Sequence, residues 1–226
     1  MKTVLITGAS GNLGKACVKK FLSQGYKVLA TVSPGQTLGN DFTGIETFEA
    51  DLTNEASVEN VINNITKAYK IDATLLLVGG FAMGNITDTS GPALQKMFSL
   101  NFDTAYFVAR PIFNHMMNQS TGRIVFVGAR PALNAADGKS TLAYSLSKSL
   151  IFKLAELLNA EGASNNVVSH VIVPSIIDTP VNRTAMPTAN FSDWVKPEEI
   201  AGTIYYLCSN QGNAVRDTVV KMYGRS

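Results

Sequence analysis

Apolar positions along this chain fall into short runs that alternate, from one end to the other, with longer stretches of three-to-four-residue periodicity. The short runs predict strands at about 3–7, 27–32, 45–50, 72–78, 122–128, 166–173 and 217–223. The periodic stretches predict helices at about 12–24, 54–69, 92–118, 141–161 and 197–209. Thr74-Leu75-Leu76-Leu77-Val78 and Ile124-Val125-Phe126-Val127 do not alternate with polar residues. Such runs suit parallel strands covered by helices on both faces. The alternation as a whole predicts a doubly wound α/β protein with a parallel sheet of about seven strands. No repeat, low-complexity tract or linker divides it, so residues 1–226 are expected to form a single domain.

Composition narrows the class. Charged residues make up 16% of the chain and hydrophobic ones 46%, a balance that a packed core supports and a disordered chain does not. The net charge is +2 with no block of like charge, which argues against a nucleic-acid or anionic-membrane partner. The apolar stretch behind Met1 runs directly into a glycine turn and is too short for a leader core, so a cytoplasmic protein is expected. No segment approaches the ~18 apolar residues of a membrane span. Cys17 and Cys208 fall on apolar positions of predicted helices and read as buried thiols rather than a disulfide. His115 and His170 stand apart from any Cys/His pair, and no metal site is expected.

Chemistry enters with Thr7-Gly8-Ala9-Ser10-Gly11-Asn12-Leu13-Gly14, which follows the first strand and opens the first helix. Glycines there permit a tight turn and close approach of backbone to a pyrophosphate, while the helix N-terminus supplies N–H groups and a positive dipole end. The fold implied is the Rossmann fold, with Gly8, Ser10, Gly11, Asn12, Leu13 and Gly14 as candidate cofactor contacts. The tip of the second strand, Thr31-Val32-Ser33-Pro34, carries no carboxylate to bind ribose hydroxyls. That leans the cofactor toward NADP, with Ser33 as a phosphate contact and NAD as the alternative.

Tyr144-Ser145-Leu146-Ser147-Lys148 begins the helix after the fifth strand. Residues four apart share a helix face, so the lysine ammonium can lie near the phenol. A nearby cation is expected to lower the tyrosine pKa and make it a usable acid near neutral pH.

In this order of motifs the sequence resembles the short-chain dehydrogenase/reductase family over nearly its whole length. The resemblance implies catalytic roles for Tyr144, Lys148 and Asn101, the last in a proton relay. It implies cofactor contacts from Asp51 and Leu52 closing the third strand, Gly79 and Gly80 after the fourth, Tyr144 and Lys148, and Pro174, Ile177 and Thr179 after the sixth. Two positions depart from the family pattern. Ala129 stands where the family's catalytic serine is expected, and the Ser33–Phe42 loop leaves little room for the usual helix. Both departures, together with Gly79-Gly80-Phe81-Ala82-Met83-Gly84 and the segment from Asp178 through Trp194, are similar to the dihydropteridine reductase branch. That likeness implies hydride transfer to a small quinonoid pterin-like substrate, with Phe81, Ala129, Met186 and Trp194 at the substrate site and a substrate loop at about 176–196. Two other readings stand beside it. One is a carbonyl or 3-oxoacyl reductase in which Ser140 or Thr141 replaces the missing hydroxyl. The other is a dinucleotide-sensing regulator without turnover, against which the Tyr–Lys pair counts. The family likeness also implies a homodimer or homotetramer formed through the helices near 92–118 and 141–161.

Overall fold

The computed structural model describes residues 1–39 and 42–225. Seven strands form one parallel sheet: β1 (Thr3–Thr7), β2 (Lys27–Val32), β3 (Ile45–Glu49), β4 (Ala73–Leu76), β5 (Gly122–Val127), β6 (Val167–Pro174) and β7 (Val219–Met222). They lie in the order β3-β2-β1-β4-β5-β6-β7, and every neighbouring pair is parallel. Helices α1 (Asn12–Ser23) and α2 (Glu55–Ala68) follow β1 and β3. Between β4 and β5 come α3 (Gly91–Phe98), a π-helical turn at Ser99–Asp103 and α4 (Thr104–Gln119). The rest are α5 (Ala135–Gly138), α6 (Leu142–Gly162), α7 (Pro180–Ala185) and α8 (Pro197–Cys208).

This is the doubly wound Rossmann architecture. One face of the sheet packs Val4, Ile6, Val28 and Ala30 against Phe21 of α1 and Ile200 and Ile204 of α8. The other packs Leu5, Leu29, Ile124 and Phe126 against Ile62 of α2, Ile112 of α4 and Ile151 of α6. Cys17 and Cys208 are buried thiols on the first face. Because β1 leads outward to β2 and β3 before the chain crosses back to β4, a crevice opens between the carboxyl ends of β1 and β4. Ligands of such sheets bind at that switch point.

The structure corrects the predicted elements in three places. The strand expected at 72–78 ends at Leu76, because the Thr7 hydroxyl donates to the Leu75 carbonyl (3.3 Å) and accepts from the Leu77 N–H (3.2 Å) where ladder bonds would continue. The helix expected at 92–118 is interrupted by the π turn. Two short helices, α5 and α7, were not anticipated; Asn134 and Thr179 cap them with side-chain acceptors. Between β2 and β3 no helix forms among the described residues, in keeping with the short Ser33–Phe42 loop, of which Asn40 and Asp41 lie outside the description.

Helix α1 seats directly on the glycine turn. A Cβ at Gly14 would stand 2.1 Å from the Gly8 carbonyl oxygen and 2.7 Å from Ala9 Cα, both backbone atoms that cannot swing aside. Alanine gains up to about 1 kcal/mol over glycine in a helix interior, but overpacking of this kind costs about 1–3 kcal/mol. Gly14→Ala is therefore expected to lower the urea midpoint. Gly202→Ala in α8, where an added Cβ meets nothing within 4 Å, should hold or raise it.

Candidate active site

The turn after β1 is built for close approach. Gly8 has φ +67°, and a Cβ there would press at 3.2 Å on the backbone of Leu77 and Val78. Gly11 donates its N–H to the Gly8 carbonyl at 3.1 Å and serves as the N-cap of α1 without a side-chain acceptor for the first-turn amides. Those amides and the helix dipole form a ready site for a phosphate. Ser10, Gly11 and Asn12 are exposed beside it and Leu13 is half-buried. At the neighbouring strand end Val32 is buried and Ser33 exposed. Past β3, Asp51 accepts from the N–H and hydroxyl of Thr53 (2.9 and 2.7 Å), which holds its carboxyl below the usual range, and Leu52 packs on the α2–α4 face. The donor-rich turn, the bare glycine backbone and the hydroxyl at the β2 tip fit a dinucleotide.

The second half of the site gathers around the exits of β4 and β5. Asn101 sits in the π turn, a feature that frequently marks functional positions in helices. It is 1% exposed. Its Oδ1 accepts from the Gly80 N–H at 2.9 Å, and its Nδ2 donates to the Gly80 carbonyl and to Ser147 Oγ, each at 3.1 Å. Ser147 Oγ in turn donates to the Tyr144 carbonyl at 2.8 Å. Lys148 is buried and donates from Nζ to the Val127 carbonyl at 2.8 Å. Gly79 runs between these groups: a Cβ there would lie 2.6 Å from Asn101 Oδ1 and 3.1 Å from Lys148 Nζ.

The electrostatics differ from the expected pattern. Burial pushes the Tyr144 phenol up to about 12 and the Lys148 ammonium down to about 8. The expected lowering of the tyrosine by its neighbouring cation is reversed, because desolvation dominates and the ammonium is directed at the Val127 carbonyl. The side chain of Asn101 also spends both amide hydrogens on protein acceptors, so it braces Gly80 and α6. Ser147 was missed in the sequence. Its signal lay in the stripe Ala143-Ser147-Ile151-Ala155, where a polar group on the buried face of α6 required a partner.

Ala129 leaves β5 with 4% of its surface exposed and no group to hydrogen-bond a substrate. Thr141 is buried, with its hydroxyl near the Gly138 carbonyl (3.4 Å) and paired with Ser145 Oγ (3.0 Å). Ser140 is exposed, and its carbonyl accepts from Gly84 N–H at 2.8 Å. Phe81, 62% exposed, stands edge-on to the Tyr144 ring at 5.0 Å between centroids. Trp194, by contrast, is 5% exposed and packs on Phe191 at 4.8 Å. Met186 ends α7 half-buried. Pro174 ends β6; beyond it the Ile177 carbonyl accepts from Asn182 Nδ2 (2.8 Å), and the Thr179 hydroxyl caps α7. Arg183 forks onto Asp178 (2.6 and 2.7 Å) and lies over the Phe191 ring at 4.8 Å.

The short chain dehydrogenase family model matches residues 2–190, and the chain belongs to that family of NAD(P)-dependent oxidoreductases. Among relatives, an acetoacetyl-CoA reductase of Acinetobacter sp. (strain RA3849) is 28% identical, over 99% of this chain and 96% of its own. The dihydropteridine reductase of Dictyostelium discoideum is 30% identical, over 92% and 88% respectively. The solved structure of ElxO with NADP bound shares the fold with a TM-score of 0.90 at 24% identity, covering 99% of this chain and 97% of that one.

The depressed ammonium yields a pH test. Lys148 is protonated below about 8 and loses its charge above it. If the ammonium donates to a cofactor ribose, dinucleotide affinity measured by calorimetry should fall as the pH rises through about 8, and Lys148→Met should bind weakly with no such fall.

Proposed function

We infer that this enzyme is an NADPH-preferring reductase acting on a small conjugated acceptor of the quinonoid pterin-like kind. The observation that carries the reading is Ala129: a Tyr–Lys pair is in place, but the hydroxyl that would polarise a ketone beside it is missing. When bound, the dihydronicotinamide supplies hydride. Gly8 through Gly14 would cradle the pyrophosphate, Asp51 and Leu52 the adenine end, and Pro174, Ile177 and Thr179 the nicotinamide end. Gly79 and Gly80 give the cofactor bare backbone to lie on. Lys148 holds the nicotinamide ribose. Tyr144 donates its proton to the reduced acceptor. Phe81 offers a planar apolar face beside the Tyr144 ring, and Met186 is the further candidate wall from the 176–196 segment.

A ketone gathers negative charge on one oxygen as hydride arrives, and losing one donor to such an oxyanion costs about 2.7–4 kcal/mol. A conjugated ring spreads that charge over several atoms and depends less on any single donor. The competing reading, a ketone reductase, draws on the acetoacetyl-CoA reductase relative and on the exposed Ser140 hydroxyl. A second copy would dock on the helices that expose Tyr106, Leu146, Leu150 and Leu157, giving the homodimer or homotetramer.

Two measurements test these assignments. Steady-state kinetics should show better turnover of a conjugated pterin or quinone than of any simple ketone. Ala129→Ser should raise ketone reduction more than it raises the other. Strong native ketone activity that disappears in Ser140→Ala or Thr141→Val would instead establish the ketone reductase. For the cofactor, titration should find NADPH bound more tightly than NADH, with Val32→Asp reversing the order; native preference for NADH would overturn the NADPH assignment.

A further inference from the structure

Between Ser33 and Asp51 the sequence carries four acids, Asp41, Glu46, Glu49 and Asp51, and no lysine or arginine. Asp41 lies outside the described residues. Two of the others are engaged. Glu46 pairs with Lys27 at 3.2 Å and accepts from the Tyr69 phenol at 2.8 Å, while Asp51 is bonded to Thr53. Glu49 is exposed, and among the described residues no cation pairs with it. Its Oε2 reaches across the end of β2 to accept from the Gly35 N–H at 3.4 Å.

Register and turn chemistry put it there. Glu49 is the cross-strand partner of Val32, and the next residue, Ala50, donates its N–H to the Val32 carbonyl at 2.9 Å. Ser33-Pro34-Gly35-Gln36 closes with Gln36 N–H on the Ser33 carbonyl at 2.9 Å and Gly35 at φ +73°. Proline followed by a glycine of positive φ is the pattern of a type II turn. The turn folds the chain leaving β2 back within reach of the Glu49 carboxylate.

In a doubly wound sheet the end of the second strand receives the adenosine ribose, and a carboxylate at that end disfavours a 2′-phosphate. We propose that Glu49, reaching over from the third strand, is the residue that sets how strongly this enzyme discriminates between NADPH and NADH. Val32 leaves room for the phosphate, and Glu49 opposes its charge, so the preference for NADPH is narrow. This rests on the reading that a dinucleotide lies over the ends of β1 and β2.

The test is calorimetric titration of NADPH and NADH into the native protein, Glu49→Gln and Glu49→Lys. Glutamine keeps an acceptor for the Gly35 N–H and removes only the charge. It should tighten NADPH roughly three- to tenfold at low salt, with the gain shrinking as salt rises, and leave NADH within about twofold. Lysine should widen the gap further. Equal changes in both cofactors, or an unchanged NADPH affinity in Glu49→Gln, would overturn the proposal. A native protein that favours NADH would refute the NADPH assignment above, yet a selective NADPH gain in Glu49→Gln would still place the discrimination at Glu49. Failure of every form to bind either dinucleotide would sink both.

Discussion

The site depends on one steric constraint: the chain leaving β4 must pass as bare backbone between a buried amide and a buried ammonium. A Cβ on Gly79 would collide with Asn101 Oδ1 and press on Lys148 Nζ, and Gly80 presents both its N–H and its carbonyl to the asparagine. That paired contact ties the exit of β4 to the π turn. The third bond of Asn101, to Ser147, ties the same turn to α6 at the carbonyl of Tyr144. Three elements distant in sequence are thus fixed to one another by a single side chain. A buried polar group of this kind is costly if any partner is lost, which keeps the arrangement rigid.

The same crowding governs the charges. Lys148 is buried and its hydrogen bond goes to a neutral carbonyl, so the ammonium is only weakly favoured over the amine. Tyr144 feels the mirror effect, since the phenolate is the form that burial disfavours. The pair is therefore biased toward holding one proton on the tyrosine and yielding one from the lysine. For proton donation by Tyr144 that bias is a cost, because a raised pKa makes the phenol a weaker acid.

Much of this was legible in the residues. The seven strands, their parallel sense and the glycine turn follow from apolar runs and from Gly8, Gly11 and Gly14 in the right local context, because those signals are short-range. The Tyr144–Lys148 spacing was equally local. What escaped depends on contacts far apart in sequence or on departures from regular helix. The π turn looks like uninterrupted helix in a periodicity, and its extra residue shows only where Asn101 meets Gly80. The direction of the Tyr144 shift escaped because spacing reveals that a cation is near but not where its hydrogens point. That Trp194 is buried against Phe191 while Phe81 is exposed beside Tyr144 also escaped, because composition does not separate exposed from buried aromatics.

The segment from 176 to 196 has a different character from the brace around Gly79. Its root is strand-like, with Asp178 N–H on the Val195 carbonyl (2.9 Å) and Val195 N–H on the Ile176 carbonyl (3.0 Å). Beyond that root, most of its recorded side-chain contacts are internal: Arg183 with Asp178 and Phe191, Asn182 with Ile177 and Thr179, Asn190 with Asp193. These contacts stay within the segment, and the packing of the sheet's two faces does not run through them. The tip behaves as an interchangeable part. Side chains there can be exchanged one set for another while the strands and the Gly79 brace keep their own contacts.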